Sequence, residues 1–279
     1  MRLGVLVAVR SLEDAGTRLD QARAAGFSLC QLNLQGPCHR RTDLIALADM
    51  MLERDMRPVA LGCYANPLRP DEPTPLGASR DHLDSLLHHL DIVGARKVVF
   101  FSGSYASTLY DPHPDNFTDE ALEELVRFVS DVVARTRARH YQLVLEPWSG
   151  HVLCNEDRII TFHEQLAPAV AEHVRYVVDA PALITAERYA DRDRVARKIC
   201  RAIGPAAGVV HLRDCVMPPD GEAALPGPGQ GKLDYRAYVE ALRDNVPSDA
   251  PAVVRNVPPE EMAQAREYLL TLADGWQLT

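Results

Sequence analysis

Four short stretches in the second half of the chain share one pattern: VLE at 144–146, VVD at 177–179, VVH at 209–211 and VVR at 253–255. Each runs through two apolar residues into a titratable or charged one. Glu146 and Asp179 offer carboxylate oxygens and His211 an imidazole nitrogen, a donor set that suits Mn²⁺, Mg²⁺, Co²⁺ or Zn²⁺ without choosing among them. Two carboxylates brought together with no cation raise one another's pKa, and a divalent ion removes that penalty. Taken singly, each of these residues could as well cap a helix or pair with a nearby Lys or Arg; their joint appearance carries the metal reading. Arg255 is different in kind, because a guanidinium stays protonated and has no acceptor atom.

The elements that must position these residues follow from hydrophobic patterning. Short apolar runs at 3–9, 29–34, 58–64, 97–103, 142–147, 175–180, 208–214 and 251–256 each precede an amphipathic stretch, at 12–25, 42–54, 78–93, 119–138, 156–166, 188–203, 235–243 and 259–273. Alternating strand and helix units call for a parallel sheet with helices outside it, and eight of them in about 250 residues match a (β/α)8 TIM barrel. An open doubly wound sheet fits less well, since VAVRSLEDAG follows the first strand in place of a glycine-rich dinucleotide fingerprint. No linker divides the chain, so residues 1–279 are expected to form one α/β domain. In a barrel the C-terminal strand ends converge on the mouth, which brings Glu146, Asp179 and His211 to one volume. The Pro- and Gly-rich stretches at 66–77 and 217–231 read as long loops on that same face.

Composition narrows the partners. The 279 residues carry a formal charge of −9 with Lys and Arg scattered among acids, which argues against a nucleic-acid face. No run approaches eighteen consecutive apolar residues, so no membrane span is expected, and the start of the chain turns acidic too early for an export signal. Six cysteines lie far apart without a CxxC pair, the pattern of reduced thiols in a cytoplasmic setting. GPGQGK at 227–232 lacks the Walker spacing and reads as a loop over the mouth.

LVLEPWSGHVLCNED, YVVDAPALITAERY, VVHLRDC and LPGPGQGKLDY, in this order, with YANPLRPDEP earlier, resemble the sugar phosphate isomerase/epimerase group of the xylose isomerase-like TIM barrels. The likeness covers most of the chain. It implies one divalent metal held on Glu146, Asp179 and His211, a small sugar or keto sugar acid as substrate, and substrate contacts from Tyr64 and Asn66 after the third strand. It also implies a homo-oligomer, dimer or tetramer. Where the group has a strand-eight Glu that ligates the metal and faces Glu146 across the sugar, this chain has Arg255; where Asn or His is common three residues after the strand-six Asp, it has Ala182.

The resemblance implies proton transfer next to a carbonyl, with Glu146 as base. The departure at 255 undermines a symmetrical two-base epimerisation and leaves three arrangements open. A three-ligand metal site could persist, with Arg255 binding a substrate carboxylate or phosphate. Arg255 could pair with Glu146 or Asp179 and replace the metal. It could also turn outward and leave Asn256 facing the site. Trp148 and His151 beyond the fifth strand, and Arg213 two residues after His211, complete the expected substrate contacts. A lyase or dehydratase, which needs one base, and a barrel that binds carbohydrate without turnover are the alternatives to an isomerase or epimerase.

Overall fold

In a computed structural model, which describes residues 1–35, 38–136, 140–217 and 223–272, the strands pair in sequence order and close on themselves. They are β1 (Arg2–Val9), β2 (Leu29–Leu34), β3 (Arg57–Gly62), β4 (Lys97–Phe101), β5 (Gln142–Glu146), β6 (Val174–Val178), β7 (Ala207–Leu212) and β8 (Pro251–Val254), all parallel, with β8 pairing back onto β1. The helices between and after them are α1 (Leu12–Ala24), α2 (Arg41–Glu53), α3 (Arg80–His89), α4 (Asp119–Arg135), α5 (Glu156–Gln165), the single turn α6 (Pro168–Ala171), α7 (Arg192–Ile203), α8 (Tyr235–Asn245) and α9 (Met262–Leu272). The chain is a single-domain (β/α)8 barrel, as the alternation of its apolar runs requires.

Local chemistry starts the helices where the sequence switches period. Side-chain oxygens of Ser11, Thr118, Asn155 and Asp234 accept from the backbone N–H of Asp14, Ala121, Arg158 and Ala237, which satisfies donors that a helix start leaves open. Along α4, Ala121, Leu122, Leu125, Phe128, Val129 and Val132 form one buried stripe at helical spacing. The stripes of the helices and the outward faces of the strands make the larger apolar core.

A second cluster fills the barrel itself and includes Ala60, Val99, Phe101, Val144, Val177, Val209 and Val253. Successive side chains of a strand point to opposite faces. The residues two positions beyond Val144, Val177, Val209 and Val253 therefore face the same interior, at its C-terminal end. They are Glu146, Asp179, His211 and Arg255.

Candidate active site at the barrel mouth

Glu146 ends β5, Asp179 follows β6 by one residue, His211 is the penultimate residue of β7, and Arg255 follows β8 by one residue. The first three have essentially no solvent exposure, and Arg255 retains 9%. Ligand atoms of Glu146, Asp179 and His211 lie within 4.8 Å of one another, so the trio could hold a metal ion. His211 Nδ1 stands 3.7 Å from Glu146 Oε1 and 3.7 Å from Asp179 Oδ2.

Arg255 enters this same space. Its Nη1 contacts Glu146 Oε1 and donates to His211 Nδ1 at 3.0 Å. An outward-turned Arg255, one of the arrangements left open by the sequence, is thereby overturned. Asn256 instead takes the left-handed conformation (φ 57°) and donates to the Leu225 carbonyl at 2.7 Å, at the rim of the mouth. Because a guanidinium has only donors, His211 Nδ1 must accept, and the ring proton belongs on Nε2, which faces Gln31 Oε1 at 3.1 Å.

From Gln31 a chain of neutral groups returns to the carboxylate. Gln31 Nε2 donates to Asn33 Oδ1 at 2.9 Å, Asn33 Nδ2 to the Tyr64 hydroxyl at 3.2 Å, and that hydroxyl to Glu146 Oε2 at 3.0 Å. With Arg255 bridging Glu146 and His211, the circuit closes. Each member has its rotamer and its donor or acceptor role set by the next. Gly62 makes room for it, since a Cβ there would overlap the Asn33 amide. Gln31 and Asn33 escape a reading centred on charged strand ends; two amides at i and i+2 in the apolar run LCQLNL are the signal that finds them.

Asp179 has its own guanidinium. Arg213 Nε donates to Asp179 Oδ1 at 3.1 Å, its Nη2 lies 2.6 Å from Oδ2, and its Cζ sits 5.2 Å from the Trp148 ring centroid. Burial pushes both carboxyl groups up. For Glu146 the facing Arg255, with Arg213 beyond it, more than offsets burial; for Asp179 Arg213 does so; both end below the ordinary carboxylate range. Burial, helped by the Glu146 charge, drives the Tyr64 phenol far above its usual value, so it serves as a hydroxyl donor.

Outside this cluster lies a cavity of about 270 Å³ lined by Tyr110, Trp148, Ala182, Arg213, Arg255 and Asn256, among others. The other expected contacts fall elsewhere. The Asn66 amide is taken up by Ser104 and Leu68 backbone groups, which shapes the loop after β4. His151 is buried against Phe101 with Nε2 2.7 Å from the Leu109 carbonyl, and burial lowers its pKa to about 4. Both support the wall around the mouth. Asp214 Oδ1 accepts from the N–H groups of Cys215 and Leu233 and so pins the loop after β7. All six cysteines are free.

The donor types of the trio suit a divalent ion, and so does their spacing. As the side chains stand, though, they do not fit one, because the position among Glu146 Oε1 and His211 Nδ1 is taken by Arg255 Nη1.

The fold and this strand-end cluster define a class, and the sequence confirms it. Residues 19–271 match the family model of the xylose isomerase-like TIM barrel, and the chain belongs to that family. No curated protein matches the chain. Solved structures similar to it include a D-tagatose 3-epimerase-like protein (TM-score 0.74, 15% identity, 98% of this chain and 97% of that one). An L-ribulose 3-epimerase is comparable (TM-score 0.70, 16% identity, covering 98% and 94%). So is a xylose isomerase-like TIM barrel protein from Mycobacterium smegmatis in complex with magnesium (TM-score 0.67, 13% identity, covering 94% and 89%). At these identities the likeness establishes the fold. Among the described residues no helix is long and apolar enough to cross a membrane.

Proposed function

We propose that the chain is an isomerase or epimerase of a small sugar or keto sugar acid, which moves a proton next to a carbonyl at the barrel mouth. The observation that carries this reading is Glu146, a buried carboxylate directly behind a cavity whose wall carries Arg255, Arg213 and Trp148. The aromatic face of Trp148 suits the C–H face of a sugar, and the two guanidinium groups suit its oxygens or its carboxylate. Several similar structures are themselves named as sugar epimerases, which supports the substrate class.

Arg255 covers Glu146, so a substrate oxygen that draws the guanidinium towards the cavity uncovers the base and at the same time gains its charge. Glu146 then removes the proton beside the carbonyl, and the electron pair moves onto the carbonyl oxygen, where Arg255 stabilises the enediolate. With no second carboxylate on strand eight, one base must return the proton. That favours a shift between adjacent carbons over inversion at one carbon, and a lyase or dehydratase step would use the same single base. Tyr64 holds Glu146 in place, and Asn66 and His151 hold the loops around the substrate.

The test is solvent exchange. Ketoses, keto-inositols and hydroxy-keto acids are incubated with the protein in D₂O, and deuterium next to the carbonyl is read by NMR. Incorporation into one of them, falling by about 10²-fold or more in Glu146→Gln, is the expected outcome. Sugar binding without exchange, with or without added Mn²⁺, would favour a carbohydrate-binding barrel without turnover. The Arg255–Glu146 contact gives that second reading its footing.

A further inference from the structure

We infer that the Arg255 guanidinium is the fixed cation of this site and stands in place of a divalent metal, so that the chain takes up no ion between Glu146, Asp179 and His211. Position is the first ground. An ion held by Glu146 and His211 would sit about 2.0–2.2 Å from each ligand atom, in the space Arg255 Nη1 fills by touching Glu146 Oε1 and lying 3.0 Å from His211 Nδ1. The lone pair that would face the ion accepts the guanidinium proton instead.

Charge is the second. Two carboxylates, Glu146 and Asp179, face two guanidinium groups, Arg255 and Arg213, and the imidazole between them is neutral because it accepts on Nδ1 and carries its proton on Nε2. The cluster is balanced as it stands. Adding a divalent ion would leave two uncompensated positive charges in a site whose members are nearly all sealed from water, where unpaired charge is costly. Arginine, unlike lysine or histidine, cannot yield by losing its proton.

The third ground is anchorage. Arg255 N donates to the Leu212 carbonyl at 3.0 Å, and the next residue turns left-handed and is tied to Leu225, so the backbone aims the side chain inward from both ends. Tyr64, Asn33 and Gln31 then hold Glu146 and His211 at the spacing the guanidinium bridges.

Metal content is read without substrate, so the outcome is separable from the deuterium-exchange result. Protein purified without chelator or His-tag is analysed for Mn, Mg, Co and Zn, then titrated with Mn²⁺ and followed by calorimetry and thermal melting. The wild-type chain is expected to hold less than about a tenth of an equivalent of any of these, with no saturable uptake and no change in Tm on dialysis against EDTA. Arg255→Glu, which supplies a third carboxylate as a fourth ligand, is expected to take up about one equivalent of Mn²⁺ and to melt higher when loaded. Stoichiometric, saturable uptake by the wild-type chain overturns the inference outright, even if the variant does not fold. A folded Arg255→Glu variant that binds no Mn²⁺ also overturns it, because Arg255 would then not be what keeps the ion out.

Discussion

The two halves of the barrel contribute unlike chemistry to the same mouth. From β5 to β8 come the charges, Glu146, Asp179, Arg213 and Arg255, with the neutral imidazole of His211 among them. From β2 to β4 and the turn after β3 come uncharged groups: Gln31, Asn33, Gly62, Tyr64 and Phe101. The charged half decides what the site can attract or stabilise. The neutral half decides where the charges stand, because each amide or hydroxyl has one neighbour on either side and one geometry along the circuit from His211 to Glu146. Charge alone would allow several pairings of two carboxylates with two guanidinium groups; the neutral arc selects one.

That division is open to measurement. The largest effect is expected from Arg255→Met, which leaves Glu146 buried and unpaired and should destabilise the fold by about 3–5 kcal/mol in urea denaturation. Adding Glu146→Gln to that variant should recover much of the loss, since the uncompensated charge is gone. A double variant as unstable as the sum of the two single ones would mean that packing of the arginine stem, and not the ion pair, holds the charged half together.

Acid should act on the charged half. Glu146 and Asp179 have folded-state pKa values below their ordinary 4.5 and 3.8, so in acid the unfolded chain binds more protons than the folded one and stability rises with pH. The contribution is complete above the ordinary values and is lost as pH falls below them towards the lowered ones. Buried His151, held neutral in the fold, adds a decline that starts near the ordinary imidazole value of 6.5, so the urea midpoint is expected to be flat only above about pH 7 and to drop further below about pH 5, with a shallower drop there in the Glu146→Gln variant. An equal drop in both would assign the acid sensitivity to carboxylates elsewhere.

The smallest effect is expected from the neutral half. Gln31→Leu removes the partner of His211 Nε2 and should cost about 1–3 kcal/mol. It should also lower any turnover or sugar affinity by more than its stability cost suggests, because His211 is then free to turn. A loss as large as that of Arg255→Met would erase the distinction between the halves.

The same contrast explains how much could be read from the sequence. The eight strand–helix units were legible because each switches hydrophobic period, and the helix caps mark the switch. The charged half was legible because VLE, VVD, VVH and VVR repeat one motif, and the valine two positions before three of those residues, with Val144 before Glu146, sits in the barrel interior. Of the neutral half only Tyr64 was named, through the family resemblance; Gln31 and Asn33 look like ordinary strand residues until it is known that β2 lies beside β1 and β3, across the lumen from His211. Sequence placed Arg255 at the mouth but left its direction undecided; that depended on a backbone turn at Asn256 and on a carbonyl 31 residues away in the chain. His151 and Asn66 are close to the site in sequence, yet their partners are loop backbone groups that no local pattern reveals.

The left-handed turn at Asn256 has a mechanical corollary. Its amide grips the Leu225 carbonyl in the segment that follows β7, while the preceding residue carries the guanidinium. Leu225 lines the cavity beside Arg255, so this one tether fixes a stretch of the cavity wall to the backbone that aims the guanidinium.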